Sequence, residues 1–293
     1  MPLAIVPHPF FNADLPEGHR FPMAKFRRLA ALLAEEGIVQ PGGFHEPDPA
    51  DPETIMLVHD ESYVRDVLEQ TVPAMIEREI GLPVNTDVAQ RSRCASGGTL
   101  LTGRLALERG IACNTAGGSH HARRSQGAGF CVFNDVAVAI RALQRDGAIE
   151  TAMVIDCDVH QGDGTAEIFD GDAGDFTLSV HGEKNYPVRK VASDLDIGLA
   201  DATGDEAYLE TVRKAVDTAL GRFTPDIVFY NAGVDPHRDD RLGRLALSDE
   251  GLEQRDTWII DKVRSAGIAL AGVIGGGYSD DIDALAARHA TLH

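Results

Sequence analysis

Short apolar runs recur along this chain, and they are apolar at successive positions rather than at alternate ones: LAIVP near residue 3, IACNT (111–115), TAMVIDCD (151–158), DFTLSVH (175–181), DIVFYNAG (226–233) and IALAGVIGGG (268–277). A strand with water on one face alternates apolar and polar residues, so strands of this kind need cover on both faces. Helical segments with start and stop signals lie between them. In NDVAVAIRALQRDG, Asn134 can cap the amino end and Gly147 the carboxyl end, and Ser248 and Gly267 do the same for SDEGLEQRDTWIIDKVRSAG. The pattern predicts an α/β fold in three layers, a mostly parallel sheet of about eight strands with helices on both faces. The Pro- and acid-rich FHEPDPADPE (44–53) is a surface loop too short to separate domains, so residues 1–293 are expected to form one domain.

Open parallel sheets present ligands beyond the carboxyl ends of their strands. Four of the runs are followed there by reactive residues: GGSHH, CDVHQGD, NAGVDPH and GGGYSDD. Asp158 and His160 are two apart on what reads as an extended segment, so both side chains leave one face and can converge on an ion. Carboxylate plus imidazole suits zinc or a similar transition metal better than calcium or magnesium. Asp235 offers a third ligand, which leaves a position open for water or a substrate carbonyl; His237 competes for that role, its plainer reading being an exposed loop histidine. His120 and His121 follow two glycines and could supply a base and an acid, with Asp156 and Asp163 orienting their rings. The plain alternative is structural, with Asp158 in a salt bridge and the paired histidines buried and hydrogen-bonded. Tyr278 follows three glycines and could donate to an oxyanion. A glycine run can instead cradle a phosphate, but there is no Walker lysine and no G-x-G-x-x-G after the first strand.

The formal charge of −19 disfavours a nucleic-acid ligand and favours approach of a cationic substrate, although a solubility surface accounts for most of it. Four scattered cysteines, Cys94, Cys113, Cys131 and Cys157, suggest neither a disulfide framework nor a thiolate zinc site, so a cytoplasmic setting is expected. MPLAIVPHPF lacks a basic n-region and a long apolar stretch, and no later run approaches the length of a membrane span.

GGSHHARRSQGAGFCVFND, VIDCDVHQGDGTAEIF, LSVH, NAGVD and GGGY, with weaker agreement at GHRFPMAKF and VHDESYV, together resemble the histone deacetylase family within the wider arginase/deacetylase fold. The compact length resembles bacterial members and the small class IV type. The resemblance implies a zinc-dependent amidohydrolase acting on acetyl-lysine or longer acyl-lysine. It implies Asp158, His160 and Asp235 as zinc ligands, His120 and His121 as the paired histidines partnered by Asp156 and Asp163, and Tyr278 as the oxyanion donor. Gly129 and Phe130 resemble the floor and one wall of a narrow tunnel for the acylated lysine stem. Ser179 and the carbonyls around Asp156, Asp158, His160 and Val180 resemble a structural potassium site, and Arg20 an arginine of an internal product channel. Two features depart from the family. HGEKNYPVRK lacks the usual phenylalanine, for which Tyr186 is the candidate replacement, and the acidic rim residue has no clear counterpart between Ile80 and Arg91, where Asp87 is the only aspartate. The resemblance therefore implies as substrate an acylated lysine of a protein or peptide or, alternatively, an acetylated polyamine. A catalytically silent acyl-lysine-binding module and a manganese ureohydrolase are weaker readings. The oligomeric state is not legible in the sequence.

Overall fold

A computed structural model describes residues 2–39 and 43–293. Its strands are β1 (Ala4–Val6), β2 (Ile111–Asn114), β3 (Ala152–Asp156), β4 (Asp175–Gly182), β5 (Leu195–Leu199), β6 (Ile227–Asn231) and β7 (Ala269–Val273). They form one sheet in the order β1-β2-β7-β6-β3-β4-β5, and every neighbouring pair is parallel. Seven strands are thus present among the described residues where about eight were expected. The strand absent from the sequence reading is β5. It lies at the sheet edge and is half exposed, so its sequence LDIGL shows no continuous apolar run.

Helices α1 (Lys25–Glu35), α2 (Pro52–Ile55), α3 (Glu61–Glu69), α4 (Ala74–Ile80), α5 (Thr86–Arg109), α6 (Asp135–Arg145), α7 (Asp163–Phe169), α8 (Asp205–Arg222), α9 (Asp249–Ser265) and α10 (Ile282–Ala290) surround the sheet. The period of two along each strand divides the core. Ala152, Val154, Ile227 and Phe229 face the apolar layer made by α6 and the second half of α5. Met153, Ile155, Val228 and Tyr230 face the opposite layer, which holds Leu29 of α1, Val212 of α8 and Ile259 of α9. Both expected helix starts hold, since Asn134 accepts a hydrogen bond from Ala137 N ahead of α6 and Ser248 one from Gly251 N ahead of α9, and the expected stops Gly147 and Gly267 follow those helices with positive φ. No described helix is long and apolar enough to cross a membrane.

Candidate metal centre and active site

The expected strands end sooner than the apolar runs do. β3 stops at Asp156, β6 at Asn231 and β7 at Val273, and the residues beyond leave the ladder at one edge of the sheet. Strands β2, β7, β6 and β3 are consecutive neighbours, so the loops bearing His120/His121, Tyr278, Asp235 and Asp158/His160 emerge side by side. Asp158 and His160 lie in a bend, not on an extended segment as the spacing suggested. The Asp158 carboxylate itself makes that bend, because its Oδ1 accepts the His160 backbone N–H at 2.9 Å.

Asp158, His160 and Asp235 are buried, and one ligand atom from each lies within 4.8 Å of the other two. His160 Nδ1 is 3.0 Å from Asp158 Oδ1 and 3.1 Å from Asp235 Oδ2. The Gly276 N–H donates to Asp158 Oδ2 at 2.6 Å, and the Val159 N–H donates to Asp235 Oδ1 at 2.8 Å. Gly276 has to be glycine, since a Cβ there would strike Asp235 Oδ2 and come within 2.6 Å of Asp158 Oδ2. Burial and the neighbouring Asp158 charge push the Asp235 carboxyl up to about 7. Burial acts against protonation of His160, yet the two carboxylates outweigh it and raise the ring to about 10. Two buried acids that draw a proton onto the ring between them mark a place that demands positive charge. A divalent cation fits that demand with the oxygen and nitrogen donors it prefers.

Beside this group, His120 Nδ1 is 2.6 Å from Asp156 Oδ2, His121 Nδ1 is 2.6 Å from Asp163 Oδ1, and the two Nε2 atoms are 3.1 Å apart. The two dyads differ electrostatically. Arg123 also binds Asp163, donating to Oδ2 at 2.7 Å, so His121 receives only part of that carboxylate's field. Burial together with the charge on His120 lowers His121 to about 4. His120 is equally buried, but Asp156 and Asp158 overcome the desolvation and raise it to about 9. Tyr278 packs edge-on to His160 with ring centres 6.2 Å apart, and burial beside Asp158 and Asp235 pushes its phenol well above the usual range, which keeps the O–H available as a donor.

The remaining expected residues divide between the mouth and the interior. Gly129, Phe130 and Tyr186 line an open pocket of about 350 Å³ whose base includes His121, His160 and Tyr278. Tyr186 meets His121 edge-on at 4.8 Å, and Phe130 lies 5.8 Å from Tyr278, so both aromatics wall the site. Phe130 adopts a φ of +67°, a left-handed backbone that costs a bulky residue about 1–3 kcal/mol. Its N–H donates to Ile80 O at 2.6 Å, which helps hold the ring at the mouth. Arg20 does not line an internal channel. It is exposed at the mouth, with its guanidinium 5.1 Å from the Phe130 ring centre, because Gly18 and the turn after it leave residue 20 outside the core. The lysine and arginine that line the small interior cavity, about 30 Å³, are Lys25 and Arg91. Of the residues expected around potassium, Asp156 and Ser179 are register partners on β3 and β4, and Ser179 Oγ lies 2.9 Å from His181 Nδ1. His237 is buried rather than exposed, and its Nε2 is 3.3 Å from Asp249 Oδ1, apart from the three-donor group.

Four residues hold the site together without having been singled out from sequence. Asn231 Nδ2 donates to Asp156 Oδ1 at 3.0 Å. Asp135 accepts from the Gly118 and Ser119 N–H groups at 3.1 and 2.7 Å and so fixes the loop before His120. Asp240 accepts from the Tyr278 N–H at 2.7 Å. Fully buried Arg255 donates through Nη1 to Gly233 O at 2.7 Å and Cys157 O at 3.3 Å, gripping the main chain just ahead of Asp235 and Asp158. The only sequence signal for these was position: Asn231 ends a strand, Asp135 follows a helix cap, and Arg255 is a cation on a helix face that must be buried.

Residues 19–293 match the family description "Histone deacetylase domain". The chain is 46% identical over 293 residues to an uncharacterized protein of Picosynechococcus sp., covering 100% of this chain and 98% of that one. It is 30% identical over 269 residues to histone deacetylase 2 of Arabidopsis thaliana, covering 89% of this chain and 70% of that one. A probable deacetylase of Archaeoglobus fulgidus is 30% identical, with 84% and 73% covered. An HDAC homologue from Aquifex aeolicus shares the fold with a TM-score of 0.84 at 24% identity, over 100% of this chain and 82% of that one. On fold, site geometry and family match together, this chain belongs to the histone deacetylase family.

Proposed function

We propose that this chain is a zinc-dependent amidohydrolase that removes acetyl groups from lysine side chains, with residues 1–293 acting as one catalytic unit. The observation that carries the reading is the convergence, around two adjoining cavities at one sheet edge, of a buried three-donor group, two carboxylate-partnered histidines and a buried phenol. Asp158, His160 and Asp235 would hold the zinc, which when bound supplies a Lewis acid that polarises an acyl carbonyl and acidifies water.

The chain's own groups divide the remaining work. His121, kept neutral and reaching the mouth pocket, accepts the proton of the attacking water at Nε2. The water oxygen bonds to the acyl carbon, and the Tyr278 O–H donates to the oxyanion that forms. His120, held cationic by Asp156 and Asp158, stabilises the negative charge from beside His121, the two Nε2 atoms lying 3.1 Å apart. The carbon–nitrogen bond then breaks as the amine nitrogen takes the proton from His121, leaving the lysine amine and a carboxylic acid that ionises to carboxylate.

Lys25 and Arg91 flank the interior cavity without a carboxylate partner among the described side chains, and they offer positive charge to that carboxylate product. A cavity of about 30 Å³ sizes the acyl group toward acetyl rather than a long chain. The reading extends to a potassium ion near Asp156, Asp158, His160, Ser179 and Val180, supporting the same loop. The test is Asp158→Ala with metal analysis. The variant should lose both stoichiometric zinc and hydrolysis of an acetyl-lysine peptide, and retention of full activity would refute the assignment. If zinc binds to the parent protein but no acylated substrate turns over, an acyl-lysine-binding role replaces the enzyme.

A further inference from the structure

We infer that the pocket mouth selects an acyl-lysine flanked by acidic residues rather than a cationic polyamine, an inference that rests on the amidohydrolase reading. The net charge of −19 points the other way. At physiological ionic strength, however, charges more than about 8 Å away are largely screened, so the groups at the mouth decide what docks there. The charged side chains lining it are Arg20, Lys184, Arg244 and Glu79, with Asp201 behind Lys184 and Arg244, so cations outnumber carboxylates three to two.

Each of these cations keeps exposed surface that a ligand can reach. Arg20 lies over the Phe130 wall and has no carboxylate partner among the described residues. Lys184 and Arg244 share one carboxylate, Asp201, at 3.7 and 3.4 Å, and their side chains remain 69% and 55% exposed. Glu79 is already engaged by the Gln126 amide at 2.6 Å, which diminishes it as a site for a substrate ammonium. The two loops that carry Lys184 and Arg244 are tied together, because Asn185 Nδ2 donates to Leu242 O at 2.9 Å. The main chain carrying two of the three cations is therefore held together beside the opening. A lysine stem inserted between Phe130 and Tyr186 would bring its neighbouring residues against these three side chains. A polyamine would bring further ammonium groups against them instead.

The experiment compares kcat/KM for three acetyl-lysine peptides that differ only in having acidic, neutral or basic flanks, together with acetylspermidine, at low and physiological salt. Three exposed ion pairs support about a tenfold preference for the acidic over the neutral peptide, shrinking as salt rises. In the combined variant R20Q/K184Q/R244Q the acidic-to-neutral ratio should fall to near one. A parent ratio of one, a preference for basic flanks or acetylspermidine, or a ratio that survives the triple substitution would overturn the inference. If no peptide is hydrolysed, the amidohydrolase reading fails separately, and fluorescence anisotropy of the labelled peptides still reads the charge preference of the mouth.

Discussion

Arg255 offers the sharpest test of how the site is positioned. It is fully buried, it pairs with Asp256 through Nε at 2.8 Å, and its Nη1 bridges the carbonyls of Gly233 and Cys157. Those carbonyls lie one residue before Asp158 and two before Asp235, so the guanidinium fixes the separation of the two acids from behind. Arg255→Met would remove charge-assisted hydrogen bonds and leave buried Asp256 without its cation, with only the Tyr230 and Thr291 hydroxyls donating to it, costing about 3–5 kcal/mol. Arg255→Lys keeps the charge beside Asp256, but an ammonium on a flexible stem cannot span Asp256 and both carbonyls with a rigid fork. Stability should fall less, by about 1–3 kcal/mol for the lost carbonyl bonds. Zinc affinity should nevertheless fall about 10- to 100-fold, as when groups that orient metal ligands are altered. Urea unfolding of the metal-free protein gives the first quantity and competition with a chromophoric chelator the second. Parental zinc affinity in Arg255→Lys alongside reduced stability would refute the positioning role and leave Arg255 a purely structural residue.

Other expectations follow from the same geometry. Gly276→Ala places a methyl against both acids and should abolish tight zinc binding and, by overpacking a buried site, cost about 1–3 kcal/mol of metal-free stability; metal analysis and thermal melts measure the two. Tyr278→Phe should lower kcat about 10²- to 10³-fold with zinc content unchanged, and steady-state kinetics would contradict this if kcat held. His59 is buried, its Nδ1 lies 2.8 Å from Arg123 O, its Nε2 accepts the Asn134 N–H at 2.9 Å, and burial lowers it to about 4. The unfolded chain therefore takes up protons first as pH falls below about 6.5, and this one ring should remove about 2 kcal/mol of stability by pH 5, read from denaturant midpoints at pH 7.5 and 5.

What was legible in the sequence was whatever depends on local pattern. Runs apolar on both faces gave five of the interior strands, and Asn134 and Ser248 marked helix starts because capping is a short-range interaction. The reactive residues could be read because they cluster just past strand ends, where a parallel sheet places ligands. β5 was illegible because an edge strand with exposed Asp196 has no buried run to betray it. Arg20 was misplaced inward because a motif gives chain position but not depth, and depth depends on how α1 packs, with Lys25 turned inside instead. Asn231, Asp240 and Arg255 act through partners far away in sequence, and single-residue identities carry no sign of such contacts.

The most direct test of the central claim is turnover of an acetyl-lysine peptide by purified protein before chelation, after removal of metal, and after stoichiometric zinc is restored. The account predicts activity that disappears with the metal and returns with one equivalent of zinc per chain. Undiminished hydrolysis by verified metal-free protein would contradict it.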